Sequence, residues 1–332
     1  MPARLSVLDL ALVGDGQTSA DALARTAELA VVAERRGYGR FWVAEHHNMA
    51  LVASTAPAVL MAHLAAVTSS IRIGSGGVML PNHPPLVVAE QFALLEALHP
   101  GRIDLGIGRA PGTDPATAAA LRREPRGLGA EDFPQELLDL MGLLGDPRTE
   151  AGMHRRFRAT PQATSRPVIV LLGSSDFSAQ LAGLLGLPFA FAHHFDTGGT
   201  LEAVARYRES FRPSDRCAEP YLIVTAGVLA ADTAEEAEYL AAPSRLAVLG
   251  LRTGRNISLL PPEEAARHPD LVMALRMPTT RIVGDAGSAI AALDHLAVRT
   301  GADEIMVTTM AYGLDERIRT LELLAAERAR AS

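Results

Sequence analysis

The chain of 332 residues is predicted to belong to the α/β class and to fold as a (β/α)8 barrel, also called a TIM barrel. Apolar segments of strand length alternate with amphipathic helical segments along most of the chain. Eight such strands can be counted, which is the number that closes this barrel. Glycine and polar residues follow most of these strands, where barrel enzymes keep their chemistry. An open, doubly wound sheet shows the same local alternation and is the alternative.

The strands are predicted from short apolar runs bounded by turn residues. They cover residues 5–13, 40–44, 71–78, 103–108, 168–172, 189–192, 221–229 and 304–308. Helices between them have clear boundary signals: Thr18 or Ser19 caps the first, Gly37 closes it, and Pro57 opens the second. Further helices are predicted at 84–98, 178–185, 199–211, 288–300 and 316–330.

Two longer segments, 111–167 and 232–281, interrupt the alternation after strands 4 and 7. The first contains helical stretches near 116–123 and 131–144, but it has too little periodic apolar sequence for a core of its own. Both segments are therefore interpreted as loop insertions within a single barrel domain that spans residues 1–332.

Composition excludes several classes of function. The formal net charge is −7 with acids and bases interleaved, which argues against a nucleic-acid partner. All 31 basic residues are arginine, so mechanisms that need a lysine are excluded. Cys217 stands alone, and a reducing compartment, the cytoplasm, is expected. Residues 177–195 lack Asp, Glu and Arg, but glycine, proline and histidine interrupt them, so a helix, a turn and a strand are predicted rather than a membrane span.

Residues that follow strands 4 and 5 predict a phosphate-binding site. Gly173, Ser174 and Ser175 come between an apolar strand and a helix, where backbone N–H groups, two hydroxyls and the helix dipole favour an anion. Ordinary capping of the helix by serine or by Asp176 is the alternative. Arg109, after strand 4, favours phosphate because a guanidinium can bind it through two hydrogen bonds.

Gly76 and Gly77 interrupt an otherwise apolar strand. Glycine in a strand commonly marks a close approach to the backbone, and a flat ring stacked on it would be one such approach. A bulge that bends a barrel strand is the alternative.

Two pairs of adjacent histidines follow predicted strands. Neighbouring strand residues face opposite sides, so His46 and His47 are not expected to share one ion, and no metal site is predicted. One histidine facing the barrel mouth as acid, base or hydrogen-bond donor is expected. His47, and one of His193 and His194, are expected to be packed structural histidines.

Taken together, these segments resemble the bacterial-luciferase-like flavin monooxygenases, in the branch of single-polypeptide relatives of the luciferase α chain. The matching motifs are WVAEHHN at 42–48, GSGGVMLPNHP at 74–84, GRIDLGIGR at 101–109, APGTD at 110–114 and LLGSS at 171–175. Several motifs in one order are more specific than any one of them. The resemblance covers strands 1 to 6 well and the C-terminal third more loosely.

This resemblance implies a (β/α)8 barrel that binds reduced FMN. By position, Gly76 and Gly77 are implied to form a non-prolyl cis peptide bond under the isoalloxazine ring. Arg109, Ser174 and Ser175, with Gly173, are implied to bind the FMN phosphate.

The resemblance also implies roles for further residues. Arg122 or Arg123 is implied to assist at the phosphate. His46 is implied to be the catalytic histidine, which forms a hydrogen bond or moves a proton beside the flavin. Gly108 stands where luciferases carry a reactive cysteine, and Gly173 stands where they carry an acidic residue, so light emission is not expected.

The activity implied is that of a flavin-dependent monooxygenase, in which FMNH2 and O2 form a C4a-(hydro)peroxyflavin that oxygenates an organic small molecule. Antibiotic or other secondary-metabolite biosynthesis is the expected setting. A separate flavin reductase would supply FMNH2, and a homodimer is implied by the family. The alternatives are a deazaflavin-dependent oxidoreductase that transfers hydride, and a non-catalytic flavin-binding protein.

Overall fold

The protein, described here by a computed structural model, is a closed parallel barrel surrounded by helices. The structure describes residues 2–122, 132–146, 148, 152–195, 198–255 and 257–331. The strands are β1 (Arg4–Asp9), β2 (Arg40–Val43), β3 (Arg72–Ser75), β4 (Val78–Met79), β5 (Ile103–Gly108), β6 (Val168–Gly173), β7 (Phe189–Phe191), β8 (Leu222–Ala231), β9 (Ile282–Asp285) and β10 (Glu304–Thr308).

Helices follow the strands along the chain. They are α1 (Ser19–Arg35), α2 (Pro57–Val67), α3 (Pro85–Leu98), α4 (Pro115–Arg122), α5 (Phe133–Leu143), α6 (Asp176–Leu184), α7 (Thr200–Ser210), α8 (Ala234–Thr253), α9 (Pro262–Ala266), α10 (Leu271–Leu275), α11 (Ala286–Thr300) and α12 (Leu314–Ala331). Local sequence sets their ends. The Thr18 hydroxyl accepts from the backbone N–H of Asp21, and the Asp21 carboxylate accepts from that of Thr18, so α1 begins with a capping box.

Pairing between the first and last strands closes the sheet. β10 is hydrogen-bonded in parallel to β1, with Val7 opposite Val307, and also to β8, with Gly227 opposite Thr308. An open sheet would leave its outer strands unpaired. The prediction of a (β/α)8 barrel is therefore confirmed, and β3 and β4 together form one of its eight strands, divided at the two glycines.

The two predicted insertions contain helices. In the first, α4 and α5 lie close to the two predicted helical stretches. The second begins with α8, a helix of 20 residues that the sequence reasoning did not predict within this insertion. The buried side of α8 is rich in small residues, among them Ala237, Ala241 and Gly250, and an alanine stripe gives a weak apolar signal. β9, which sequence reasoning missed, pairs with the end of β8.

The barrel interior is filled in layers. An inner cluster takes one buried side chain from each of six strands: Leu8, Trp42, Val170, Ala190, Ile223 and Met306. Below it, at the N-terminal ends, the buried Asp104 carboxylate accepts from Arg40 Nη1 at 2.7 Å, Arg72 Nη2 at 2.6 Å and Trp42 Nε1 at 2.9 Å. This layer blocks the N-terminal end of the barrel. Space for a ligand is left at the C-terminal ends of the strands.

Residues 177–195 contain most of α6, a turn and β7, as predicted. In the described part of the chain, no helix has both the length and the apolar character needed to cross a bilayer.

Candidate functional site

A cavity of about 230 Å³ opens at the C-terminal ends of the strands. Its wall includes all seven residues that the sequence predicted for the site: His46, Gly76, Gly77, Arg109, Gly173, Ser174 and Ser175. These residues come from the ends of four barrel strands. A larger cavity, of about 420 Å³, lies under the first insertion and is lined by none of them. The chemistry of the lining therefore favours the smaller cavity as the site.

One wall of this cavity is bare backbone. The peptide bond between Gly76 and Gly77 is cis, as the resemblance implied. A Cβ on Gly76 would lie 2.6 Å from Leu8 Cδ1, and one on Gly77 would lie 2.7 Å from Leu172 Cδ1 and 2.8 Å from the carbonyl oxygen of Gly106. Packing therefore excludes side chains at both positions. The backbone itself faces the cavity, which is the surface that a flat ring could approach.

His46 lies just after β2 on the adjacent wall. Its backbone N–H donates to the carbonyl oxygen of Ser54 at 3.0 Å, and its ring Nδ1 lies 3.1 Å from the carbonyl oxygen of Gly112. A carbonyl oxygen only accepts, so Nδ1 carries the hydrogen and Nε2 of the neutral ring is the acceptor. Burial lowers the pKa of His46 below its usual range. The imidazole is therefore neutral at pH 7 and available to accept a proton.

A buried glutamate beside His46 holds the neighbouring loops together. Glu45 Oε1 lies 2.8 Å from Nε2 of both His47 and His83, and Oε2 accepts from the backbone N–H of Met79 at 3.0 Å. Burial raises the pKa of Glu45, but these donors outweigh it and hold that pKa below the usual range. His47 is thus a structural histidine. It points to Glu45 rather than into the cavity.

Sequence reasoning missed the joint role of Glu45 and His83. Both lie inside the quoted motifs, so a carboxylate and two histidines near the ends of adjacent strands were the available signal. With His47, their ligand atoms lie within 4.8 Å of one another, a spacing that could also hold a metal ion. The N–O distances of 2.8 Å are hydrogen-bond lengths, and the three side chains satisfy one another.

The part of the cavity that follows β5 and β6 offers donors for an anion. The Cζ atom of Arg109 lies 4.4 Å from the centroid of the Phe177 ring, which orients the guanidinium by a cation–π contact. Arg109 forms no ion pair with any residue in the described ranges. Ser175 is the N-cap of α6, yet its side chain makes no capping hydrogen bond. The Ser175 side chain therefore does not cap α6. The exposed hydroxyls of Ser174 and Ser175 are both available to a ligand.

The far wall of the cavity includes His194 and Thr225. Burial, aided by the nearby Arg281, His193 and His46 and opposed by a hydrogen bond with the backbone of Thr225, lowers the pKa of His194 to about 3. His194 therefore stays neutral near pH 7. His193 instead forms a 2.7 Å hydrogen bond through Nδ1 with Thr200 Oγ1.

The side chains of the two arginines implied to assist at the phosphate lie outside what the structure describes. Arg123 lies outside the described residues, and so does the side chain of Arg122.

The fold and this cavity define a TIM-barrel protein with a candidate site at the C-terminal ends of the strands. Within that class, the chain belongs to the luciferase-like monooxygenase family, whose model matches residues 3–304.

Individual relatives and structures agree with this family. The chain is 42% identical over 327 residues to a luciferase-like monooxygenase of Escherichia coli (strain K12), covering 96% of this chain and 95% of that protein. It is 42% identical over 268 residues to the N-acetyl-S-alkylcysteine monooxygenase of Bacillus subtilis (strain 168), covering 80% and 79%. The solved structure of apo-MsnO8 superimposes with a TM-score of 0.89 at 37% identity, covering 98% of each chain.

A more distant solved structure shares the fold. It is the oxygenating constituent of 3,6-diketocamphane monooxygenase from Pseudomonas putida, which was determined in complex with FMN. It superimposes with a TM-score of 0.71 at 18% identity and covers 99% of this chain and 98% of that one.

Proposed function

We propose that the protein is a flavin-dependent monooxygenase that binds reduced FMN in this cavity and uses O2 to oxygenate an organic substrate. The observation that carries the proposal is the arrangement of the seven predicted residues around one cavity. Its lining combines a bare glycine wall with a cation and two hydroxyls. The family, and the FMN bound to the Pseudomonas putida relative in fold, support the same assignment.

The residues present fit this cofactor. A ring against Gly76 and Gly77 would meet backbone only, since neither position has space for a Cβ. Arg109 would bind the phosphate, with the hydroxyls and backbone N–H groups of Ser174 and Ser175 as further donors. When bound, reduced FMN supplies the electrons that activate O2 for transfer of one oxygen atom to the substrate.

His46 would be the catalytic residue. Its neutral ring is held by Gly112 through Nδ1, which leaves Nε2 to accept a proton or hydrogen bond from a reacting group. Glu45 acts on His46 only indirectly, by fixing the loops that follow β2 and β4.

Binding of FMN tests the proposed cofactor site. In calorimetric titrations, Arg109→Gln is expected to weaken FMN by ten- to hundredfold and to leave riboflavin unchanged, because riboflavin lacks the phosphate (about 1.5–3 kcal/mol for a charged hydrogen bond). Equal loss of both ligands would contradict the role of Arg109. A deazaflavin is titrated in parallel, and tighter binding of it than of FMN would favour the alternative hydride-transfer oxidoreductase.

Turnover tests the activity. The protein is mixed with chemically reduced FMN and O2, and N-acetyl-S-alkylcysteines are assayed first because a relative is named for them. His46→Asn is expected to lower product formation by about 10²–10⁴-fold while FMN affinity stays within threefold, since a positioned acid or base contributes about that factor. Unchanged product formation in His46→Asn would remove this residue from the mechanism. Reduced FMN consumed at the rate of free flavin would count against the monooxygenase.

Other features remain predictions. We propose that a separate flavin reductase supplies FMNH2, that the enzyme forms a homodimer, and that it acts in the cytoplasm on a metabolite of the antibiotic or secondary-metabolite type. A copurifying reductase activity and the mass of the protein in solution would test the first two.

A further inference from the structure

A second cation stands at the mouth of the barrel, away from the proposed phosphate end of the cavity. Arg281 immediately precedes β9, and its Cγ would lie 3.1 Å from a Cβ placed on Gly227 of β8. Its Nη2 lies 2.7 Å from Met310 Sδ, just beyond β10. The side chain of Arg281 therefore runs from Gly227, in the middle of β8, to the residues just beyond β10. Arg109 follows β5, at a different part of the rim.

Arg281 lies close to the cavity. Thr225 lines the cavity, and Gly227 faces the same side of β8 because side chains alternate along a strand. Two residues of strand correspond to about 6.7 Å, so Gly227 lies one step nearer the mouth. A Cβ on Gly227 would also lie 3.8 Å from Cβ of His194, another lining residue. Arg281 thus stands above the wall formed by His194 and Thr225.

None of the described residues neutralises the charge of Arg281. Among the residues described, no carboxylate lies within ion-pair distance of it, and its sulfur contact offers no countercharge. Burial, with Arg245 and Arg252 nearby, lowers the pKa of Arg281 to about 10, so it remains protonated near pH 7. Arg245 is paired with Glu238 at 2.5 Å, and Arg252 donates to the carbonyl oxygen of Pro278 at 3.2 Å. A half-buried, unneutralised guanidinium favours an anion from outside the protein.

We infer that Arg281 is a substrate-binding residue, and that the substrate of the proposed monooxygenase carries a carboxylate that this guanidinium binds at the mouth of the cavity. The inference rests on the proposed function for the identity of the site, but anion binding does not require catalysis. With its carboxylate on Arg281, the substrate would reach down past His194 toward His46. The neutral His194 adds no charge, so Arg281 decides whether an acid is preferred.

Paired probes that differ only in charge test this inference. FMN-saturated protein is titrated by calorimetry with benzoate and with benzamide, which have the same ring and nearly the same size. Benzoate is expected to bind at least tenfold more tightly than benzamide to the unchanged protein. Arg281→Gln is expected to abolish the preference, and Arg281→Lys to keep part of it, because an ammonium retains the charge without the planar pair of donors.

The control is Arg267→Gln, which removes an exposed arginine paired with Glu263 on the surface. It is expected to leave the preference for benzoate unchanged, and thermal unfolding checks that every variant folds. Any one of three results would overturn the inference: benzoate fails to bind, benzoate binds no better than benzamide, or Arg281→Gln still prefers benzoate to benzamide.

Failure of the proposed FMN site can be distinguished from failure of the proposed carboxylate site. Flavin fluorescence in the same samples reports whether FMN is bound. Should FMN fail to bind, the titrations are repeated without flavin in an Arg109→Gln background, which removes the other cation of the cavity. A preference for benzoate that disappears in Arg281→Gln would then support the acid site although the flavin assignment had failed.

Discussion

Replacement of Gly77 by alanine tests the bare wall of the cavity. The new Cβ would lie 2.7 Å from Leu172 Cδ1 and 2.8 Å from the carbonyl oxygen of Gly106. Leu172 can rotate away, but the oxygen belongs to the backbone of β5 and is held in the barrel. Overpacking typically destabilises by about 1–3 kcal/mol, and contact with backbone puts this variant in the upper half, about 2–3 kcal/mol. The free energy of unfolding, measured in urea, should fall by that amount.

The same substitution should also weaken FMN. Relief of the clash must move the backbone on which the ring is proposed to lie, so we expect at least a tenfold rise in the Kd measured by flavin fluorescence (about 1.4 kcal/mol).

Gly287→Ala is the matched control for Gly77→Ala. Its Cβ would lie 3.4 Å from Asp285 Oδ1, an ordinary contact, and the position is in the first turn of α11. Alanine is the better helix former, so stability should be unchanged or slightly raised. The argument that this wall must be bare would be refuted by two results together. The free energy of unfolding of Gly77→Ala would lie within about 0.5 kcal/mol of that of the unchanged protein, which is an ordinary surface effect, and its FMN affinity would be unchanged.

Three further substitutions address the core and the pH response. Asp104→Asn removes the buried countercharge of Arg72 and leaves Arg40 with Glu304 alone, so the free energy of unfolding in urea should fall by about 3–5 kcal/mol, and a loss below 1 kcal/mol would contradict this. His194 has a folded pKa of about 3, so the native state binds fewer protons than the unfolded state below pH 6.5. Its contribution to stability is therefore complete above pH 6.5 and falls by about 1.4 kcal/mol for each unit below it, about 2 kcal/mol at pH 5. His194→Gln should flatten this decline in urea unfolding between pH 7 and 5, and an unchanged slope would show that the histidine is not held neutral. Glu45→Gln should lower the free energy of unfolding by about 1.5–3 kcal/mol at pH 7, because the groups that donate to Glu45 lose a charged acceptor. Equal stability of this variant would show that those donors find other acceptors.

Much of the fold could be predicted from the sequence because the signals are local. The alternation of apolar strands with helices, the capping residues before α1 and the glycine after it depend on neighbours within a few positions. Strand order along the chain then limits where the residues that follow each strand can lie. For this reason His46, the glycine pair, Arg109 and the Gly173 loop could be selected before their distances were known.

Only the tertiary structure shows the features that depend on residues far apart in the sequence. Closure required β10 to pair with both β1 and β8, which no local pattern records. α8 is buried through small residues whose weak apolar signal gains meaning only against the barrel.

Distant packing also decided the chemistry of single side chains. The sequence by itself determined that histidines follow β2, but only the folded chain brings His83 to Glu45 and turns His47 away from the cavity. It likewise places Arg281 over Gly227 without a carboxylate partner in the described structure. The physical reason is that hydrophobic periodicity acts between near neighbours, whereas charge pairing and burial are set by segments that meet only after folding.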